Sequence, residues 1–230
     1  MANPRRFVAI AGNIGVGKSS LTALLAEQLG WQPFFEAVGE NPYLADFYTD
    51  MRRWSFHSQI FFLSRRLRHH YQLLNTPGTV VQDRTVYEDA EVFACNLYQQ
   101  GQMEERDYRS YRELYEVMAL FLPPPDLLVY LRASVPVLLA RIAMRGREFE
   151  RNIAPDYLEQ LNVLYERWIA GFTGCPVLII DANRLDFVHV DHDLHEVIRQ
   201  IRTRVEQIGL PAEMRSDSRM SSLPLEGLQC

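Results

Sequence analysis

Apolar residues follow two alternating rhythms along the chain, and the alternation predicts a layered fold. Short apolar runs occur at Phe7-Val8-Ala9-Ile10-Ala11, Trp31-Gln32-Pro33-Phe34-Phe35, Thr79-Val80-Val81-Gln82, Leu127-Leu128-Val129-Tyr130-Leu131 and Val177-Leu178-Ile179-Ile180. Their length and bounding turn residues predict buried strands. Between them lie stretches in which apolar positions recur every three or four residues, the spacing of a helix with one buried face. The longest runs from Trp54 to Leu74, with Phe56, Ile60, Leu63, Leu67, Tyr71 and Leu74 on its stripe. Arg65, Arg66, Arg68, His69 and His70 lie off that stripe, most of them expected in solvent. Helices are also expected at Val86 to Gln100, Glu105 to Phe121, Pro136 through Arg141, Pro155 to about Phe172 and Asp191 to about Gln207. Five strands alternating with helices predict an α/β fold, a parallel five-stranded sheet with helices on both faces.

Glycine, proline and capping residues set the boundaries of this pattern. Gly30 stops the first helix, and Asn75-Thr76-Pro77-Gly78 stops the long one. Asn41-Pro42 is expected to cap and open a short helix through Tyr48, and Ser134 with Pro136 to do the same further on. No internal repeat or interdomain linker is visible, so residues 1–210 are expected to form one domain. Residues 211–230, rich in Ser and without periodicity, are expected to be a disordered tail.

Composition narrows the partners. A net charge of −5 argues against a polynucleotide, which favours a basic surface. Cys95, Cys175 and Cys230 are odd in number and widely spaced, which argues against a disulfide framework or zinc site and points to a reducing cytoplasm. No signal peptide or membrane span is expected. His189, His192 and His195 sit where a helix starts, with Asp191 as its cap, and lack the rest of a metal shell.

Candidate chemistry begins directly after the first strand. Gly12-Asn13-Ile14-Gly15-Val16-Gly17-Lys18-Ser19 is a G-x-x-x-x-G-K-S sequence between a strand and a helix, the context a phosphate-binding loop requires. Its glycines let main-chain amides turn around an anion, and the helix N-terminus adds unpaired N–H groups. Lys18 is the only lysine among the 24 Lys and Arg residues. A compact ammonium on a thin stem suits this loop where a planar guanidinium does not. A nucleoside triphosphate is the implied ligand. Asp83, ending a strand, is placed to hold Mg²⁺ together with the Ser19 hydroxyl, or else to cap the following helix. Glu36 ends another strand, where a carboxylate faces the ligand crevice of an open sheet. It reads either as a base for an incoming hydroxyl or as a surface loop residue.

Taken in order, G-N-I-G-V-G-K-S, Glu36-Ala37-Val38, Trp54-Ser55-Phe56-x-x-Gln59, Asp83-Arg84-Thr85 and Arg141-x-x-x-Arg145-Gly146-Arg147 resemble the deoxyribonucleoside kinase family. The resemblance runs from Arg5 to about Gln207 and is nearest to the bacterial deoxyadenosine/deoxycytidine branch, through Asn41-Pro42-Tyr43-Leu44 and Asp83 to Asp89. Ala37 departs from it, since many relatives carry Pro there.

The resemblance implies a P-loop kinase fold with an Arg-rich lid, and ATP-dependent phosphorylation of deoxyadenosine, deoxycytidine or deoxyguanosine at the 5′-hydroxyl. It makes Glu36 the base, Arg84 its clamp, Lys18 the partner of the β- and γ-phosphates, and Arg145 and Arg147 the lid. Gly12 through Ser20 (Gly12, Asn13, Ile14, Gly15, Val16, Gly17, Lys18, Ser19, Ser20) would hold the nucleotide. Arg141, Asp186 and Phe187 would lie at its adenine. Gln59 would read the acceptor base, with Asp89 and either Arg66 or its rival Arg65 behind it, Tyr48 and Glu150 at the sugar 3′-hydroxyl, and Trp54 and Phe93 as aromatic walls or ordinary core. Mg²⁺ would sit at Ser19 and Asp83, and a homodimer through the long helices is expected.

Two other classes share the loop. A thymidylate-type monophosphate kinase would have to place its acceptor's phosphate near acidic Glu36, which repels it. A guanine-specific switch needs an Asn-Lys-x-Asp sequence that a chain with one lysine at position 18 cannot contain.

Overall fold

The computed structural model describes residues 5–36, 38–150 and 153–208. The expected tail and Ala37 lie outside the described residues. Five strands form one sheet: β1 (Phe7–Gly12), β2 (Gln32–Phe34), β3 (Val80–Asp83), β4 (Leu127–Arg132) and β5 (Val177–Asp181). Their order is β2-β3-β1-β4-β5 and every pairing is parallel. All six residues of β1 are buried, because both faces of this central strand are covered. Val8 and Ile10 face a core completed by Leu21 and Leu25 of α1 (Lys18–Leu29), Leu138 and Ile142 of α7 (Val135–Arg145), and Val197 and Ile201 of α9 (Asp191–Ile208). Phe7, Ala9 and Ala11 face the other way, onto Leu161, Leu164, Tyr165 and Trp168 of α8 (Pro155–Gly171). The period of two in a strand produces this division.

A third core lies beyond the sheet edge. It joins α2 (Leu44–Thr49), α3 (Met51–Leu74), α4 (Val86–Glu88), α5 (Cys95–Gln99) and α6 (Glu105–Ala119). Residues Asp89–Ala94, between α4 and α5, form a π-helical turn rather than part of one regular helix. Such turns carry one residue more per turn and occur often at functional sites.

Several sequence expectations are corrected. In α3 the apolar stripe does not mark the buried face along its whole length. Leu63 is buried, but Leu67, Tyr71 and Leu74 are exposed, while Ser55, Ser58, Gln59, Arg66 and His70 are buried. Ser58 and Gln59 turn inward to line a cavity and Arg66 to hold its carboxylates, whereas Ser55 donates to the Gln102 carbonyl and His70 packs on Phe7. Asn41 does not cap α2. Its side-chain oxygen accepts from the Tyr43 main-chain N–H and its amide donates to Ser58 Oγ, so α2 begins only at Leu44. Arg145 belongs to α7, which ends at Gly146 in the left-handed region (φ 69°). Cys175 is a free thiol. No helix among the described residues is long and apolar enough to cross a membrane.

Candidate active site

The phosphate loop is held open by geometry that only glycine accepts. Gly12 leaves β1 at φ 143°, where a Cβ would stand 2.6 Å from the Leu131 carbonyl oxygen. Gly17 precedes α1 at φ 108°, with the Phe187 ring 3.0 Å from where its Cβ would be. The loop emerges at the C-terminal edge of the sheet, beside β1, where the strand order reverses and ligands bind in open α/β folds. A cavity of about 390 Å³ opens there, and Ile14, Gly15, Val16, Gly17, Lys18, Ser19 and Ser20 form its floor.

Two expected nucleotide residues lie beneath that floor. The Gly12 carbonyl accepts from Lys18 and from the Tyr165 hydroxyl. The Asn13 amide donates to Leu158 O and to Asn162 Oδ1, pinning the loop to α8. Lys18 Nζ donates to the Gly12 and Asn13 carbonyls at 2.7 and 3.0 Å. Burial, with the Arg84 guanidinium nearby, lowers its ammonium to about 8 despite the Asp83, Glu88 and Glu36 carboxylates.

The carboxylates at the strand ends converge on this floor. Ser19 Oγ donates to Asp83 Oδ2 at 2.5 Å, while Asp83 Oδ1 is buried with no hydrogen-bond partner. Thr85, not Asp83, caps the next helix by accepting from the Glu88 main-chain N–H. A hydroxyl beside a carboxylate with an unused oxygen is a donor set suited to a hard divalent cation such as Mg²⁺.

Arg84 adopts φ 69°, the one non-glycine residue among those described with positive φ. A strained backbone of this kind costs about 1–3 kcal/mol and persists only where its surroundings fix it. Here its N–H donates to the Ile10 carbonyl at 2.9 Å, and its guanidinium lies 4.1 Å from the Phe93 ring centre. That pose brings Arg84 Nε to 3.3 Å from Glu36 Oε1, which also accepts from Arg66 Nη2 at 2.8 Å. Burial pushes the Glu36 carboxyl up, but Arg84 and Arg66 outweigh it and hold the group down at about 2. Glu36 is therefore an ionised carboxylate in the cavity wall, not a solvated loop residue.

The wall above the loop is built from α2, α3 and the π-helical turn. Tyr48, Gln59, Asp89 and Phe93 all line the cavity. Gln59 Oε1 is buried without a partner. Asp89 accepts from Arg66 Nε at 3.0 Å, and burial nevertheless raises its carboxyl. Trp54 is not in this wall; it stacks on Tyr43. Leu44, Phe47, Ser58 and Phe62 line the cavity without having been singled out from the sequence. The spacing of Ser58, Gln59 and Phe62 on one helix would have marked them as one face.

The opposite side carries the arginines. Arg141, Arg145 and Arg147 line the cavity together with Glu150. Glu150 is buried and accepts from both Arg145, at 2.5 Å from Nη2, and Arg147, at 3.3 Å. Arg141 donates to the Val16 and Ala182 carbonyls, tying the loop to the exit of β5. Asp186 lines the cavity and Phe187 does not; Phe187 is buried under the phosphate loop, and its neighbours Val188 and His189 line the wall instead.

One feature had no sequence signal. Glu88, in α4, is fully buried with neither carboxyl oxygen hydrogen-bonded. Burial lifts its carboxyl to about 8 against the pull of Arg84 and Lys18.

Comparison with known proteins bears on this arrangement directly. A family model described as deoxynucleoside kinase matches residues 8–206. A deoxyadenosine/deoxycytidine kinase of Bacillus subtilis (strain 168) is 40% identical over 196 residues, covering 84% of this chain and 90% of its own. A deoxyguanosine kinase of Lactobacillus johnsonii is 35% identical, covering 88% of this chain and 93% of its own. Among solved structures, deoxyadenosine kinase from M. mycoides with bound dATP superposes with a TM-score of 0.77 at 31% identity, covering 86% of this chain and 100% of that one. A phosphate loop facing an ionised carboxylate, within a sheet and sequence shared with such enzymes, places the chain in the deoxynucleoside kinase family, whose members phosphorylate deoxynucleosides.

Proposed function

We propose that the chain transfers the γ-phosphoryl group of ATP to the 5′-hydroxyl of deoxyadenosine, deoxycytidine or deoxyguanosine. The observation that carries this reading is Glu36, an ionised carboxylate held by two guanidiniums in the same cavity whose floor is the phosphate loop. An acidic group at that place accepts the hydrogen of a hydroxyl and repels a phosphate, which favours a nucleoside over a nucleotide acceptor. Held near 2, Glu36 is a weak base. Phosphoryl transfer through a loose transition state asks mainly for an aligned hydroxyl and leaves proton removal late, so a permanently ionised acceptor suffices.

The other roles follow from position. Arg84 holds Glu36 in line, and Lys18 turns from its two loop carbonyls to the β- and γ-phosphates when nucleotide enters. Ser19 and the unpartnered oxygen of Asp83 would hold Mg²⁺, which when bound screens the phosphate charge. Arg145 and Arg147 close on the transferring group and Arg141, Asp186 and the neighbouring wall take the adenine. Tyr48 and Glu150 take the sugar 3′-hydroxyl. Gln59 and Asp89 each offer a buried acceptor, so they favour a base with an exocyclic amino group, which adenine, cytosine and guanine have and thymine lacks.

Outside the cavity, Tyr71 of α3, Leu114 and Val117 of α6, and Leu120 and Phe121 at its end are exposed, Leu120 by 81% and Phe121 by 76%. The two helices pack against each other, and these exposed apolar side chains on both support a homodimer built on them. We place the enzyme in the cytoplasm, with its two small-molecule substrates.

The test is a phosphorylation panel of the four deoxynucleosides and adenosine with ATP as donor, repeated with Glu36→Gln. Three amino-bearing deoxynucleosides should react before thymidine and adenosine. Glu36→Gln should lower kcat by about 10²- to 10⁴-fold while ATP still binds. Near-normal turnover in that variant would remove Glu36 from the reaction.

A further inference from the structure

Arg66 is buried, 3% exposed, and stands behind the cavity rather than in its wall. Its one guanidinium makes three hydrogen bonds. Nε donates to Asp89 Oδ2 at 3.0 Å, Nη1 to the Asp83 carbonyl at 3.3 Å, and Nη2 to Glu36 Oε1 at 2.8 Å. Asp89 and Glu36 both line the cavity. On the reading above, Asp89 faces the acceptor base beside Gln59, and Glu36 faces the reacting hydroxyl. A guanidinium is planar and has no rotatable bond between its donors, so a tilt imposed at Nε is transmitted to Nη2. Burial removes the water that would otherwise let each contact adjust alone.

We propose that Arg66 is a positioning residue that couples recognition of the base at Asp89 to the orientation of Glu36, so that a badly matched base is penalised in turnover and not only in binding. This rests on the assignment of Glu36 given above.

The coupling has a sign. Glu36 is faced by Arg84, Arg66 and Lys18, by Asp89 across the shared guanidinium, and by the Tyr48 and Tyr165 phenols. Asp89 and Glu36 compete for one cation. Neutralising Asp89 leaves Arg66 wholly to Glu36 and makes that carboxylate harder to protonate. Removing Arg66 makes it easier.

The experiment uses the full chain, saturating ATP and magnesium, and the deoxynucleoside turned over fastest in the panel. kcat and KM are measured across pH for wild type, Asp89→Asn, Arg66→Gln and Arg66→Lys. The lysine variant keeps the buried charge where Arg66→Gln, leaving Asp89 without its cation and Glu36 with Arg84 alone, fails to fold. Asp89→Asn and Arg66→Lys should each lose about tenfold or more in kcat at saturating acceptor, because neither retains a fork spanning both carboxylates. The acid limb of kcat should move up by about one unit or more in Arg66→Gln and should not move up in Asp89→Asn. The coupling is overturned if Asp89→Asn and Arg66→Lys keep wild-type kcat and change only KM, or if the acid limbs of Asp89→Asn and Arg66→Gln rise together. If Glu36→Gln is inactive alongside such a result, the coupling alone falls. If Glu36→Gln stays active, the parent assignment falls and the coupling with it.

Discussion

Lys18 and Glu88 are charges that share one buried neighbourhood and answer burial differently. Lys18 remains hydrogen-bonded through two loop carbonyls 2.7 and 3.0 Å away, a pocket sized for an ammonium. Lys18→Arg preserves charge but brings a planar group with five donors into that space. It should lower kcat/KM by about 10²-fold or more, read by steady-state kinetics at saturating acceptor. Glu88 has no such partners. Its folded carboxyl sits at about 8 against an ordinary value of 4.5, so the folded chain holds this proton more tightly than the unfolded chain does. Its contribution to stability is full below pH 4.5 and is lost as pH rises towards 8, at about 1.4 kcal/mol per pH unit in that window. Glu88→Gln should match wild type in thermal midpoint at pH 5 and exceed it by several degrees at pH 8.

At the scale of elements, the link from β1 through the loop to α1 is the least forgiving. A methyl at Gly12 would meet the Leu131 main-chain oxygen at 2.6 Å, in a backbone conformation that L residues avoid. Gly12→Ala should destabilise the fold by about 1–3 kcal/mol or more and weaken ATP binding, measured by thermal unfolding with and without nucleotide. This link was legible in the sequence because the motif dictates its own geometry: an anion needs converging amides, and converging amides need glycine. The inner strands β1, β3 and β4 were legible because a strand buried on both faces leaves a run of mostly apolar residues. The long helix was not. Period alone assigned Leu67, Tyr71 and Leu74 to the core, whereas the inward face carries Gln59, Arg66 and His70. A polar residue facing a ligand cavity and one facing solvent leave the same mark on a hydropathy pattern. The π-helical turn after α4 was likewise invisible, although it carries Asp89 and Phe93 into the cavity wall.

For the whole molecule, the same misassigned stripe gains meaning. Leu67, Tyr71 and Leu74 on α3, with Leu114, Val117, Leu120 and Phe121 on α6 and just beyond it, form apolar surface left over after the monomer's three cores are filled. An apolar pattern records every burial, including burial against a second copy. The proposed homodimer predicts that charged substitution on these helices, Tyr71→Arg with Phe121→Asp, turns a dimer in sedimentation into a monomer with the far-ultraviolet spectrum of the parent, and a wild-type chain that sediments as a monomer overturns it. The cavity opens at the sheet's C-terminal edge, so in the proposed dimer a change in turnover on dissociation would report support passed through α3, the helix that holds both Gln59 and Arg66.

The composition of the chain has an outcome for chemical labelling as well. With arginine at every other basic position, the molecule carries a single ε-amine, and that amine lies in the floor of the nucleotide cavity with its ammonium already lowered to about 8. Mildly alkaline solution therefore exposes a nucleophile where surface lysines of ordinary proteins stay protonated. An amine-directed aldehyde bearing a phosphate would find one side-chain address in the whole chain, and a nucleotide already seated there would close it. Occupancy of the site becomes countable by mass once the α-amine is accounted for, one side-chain adduct or none.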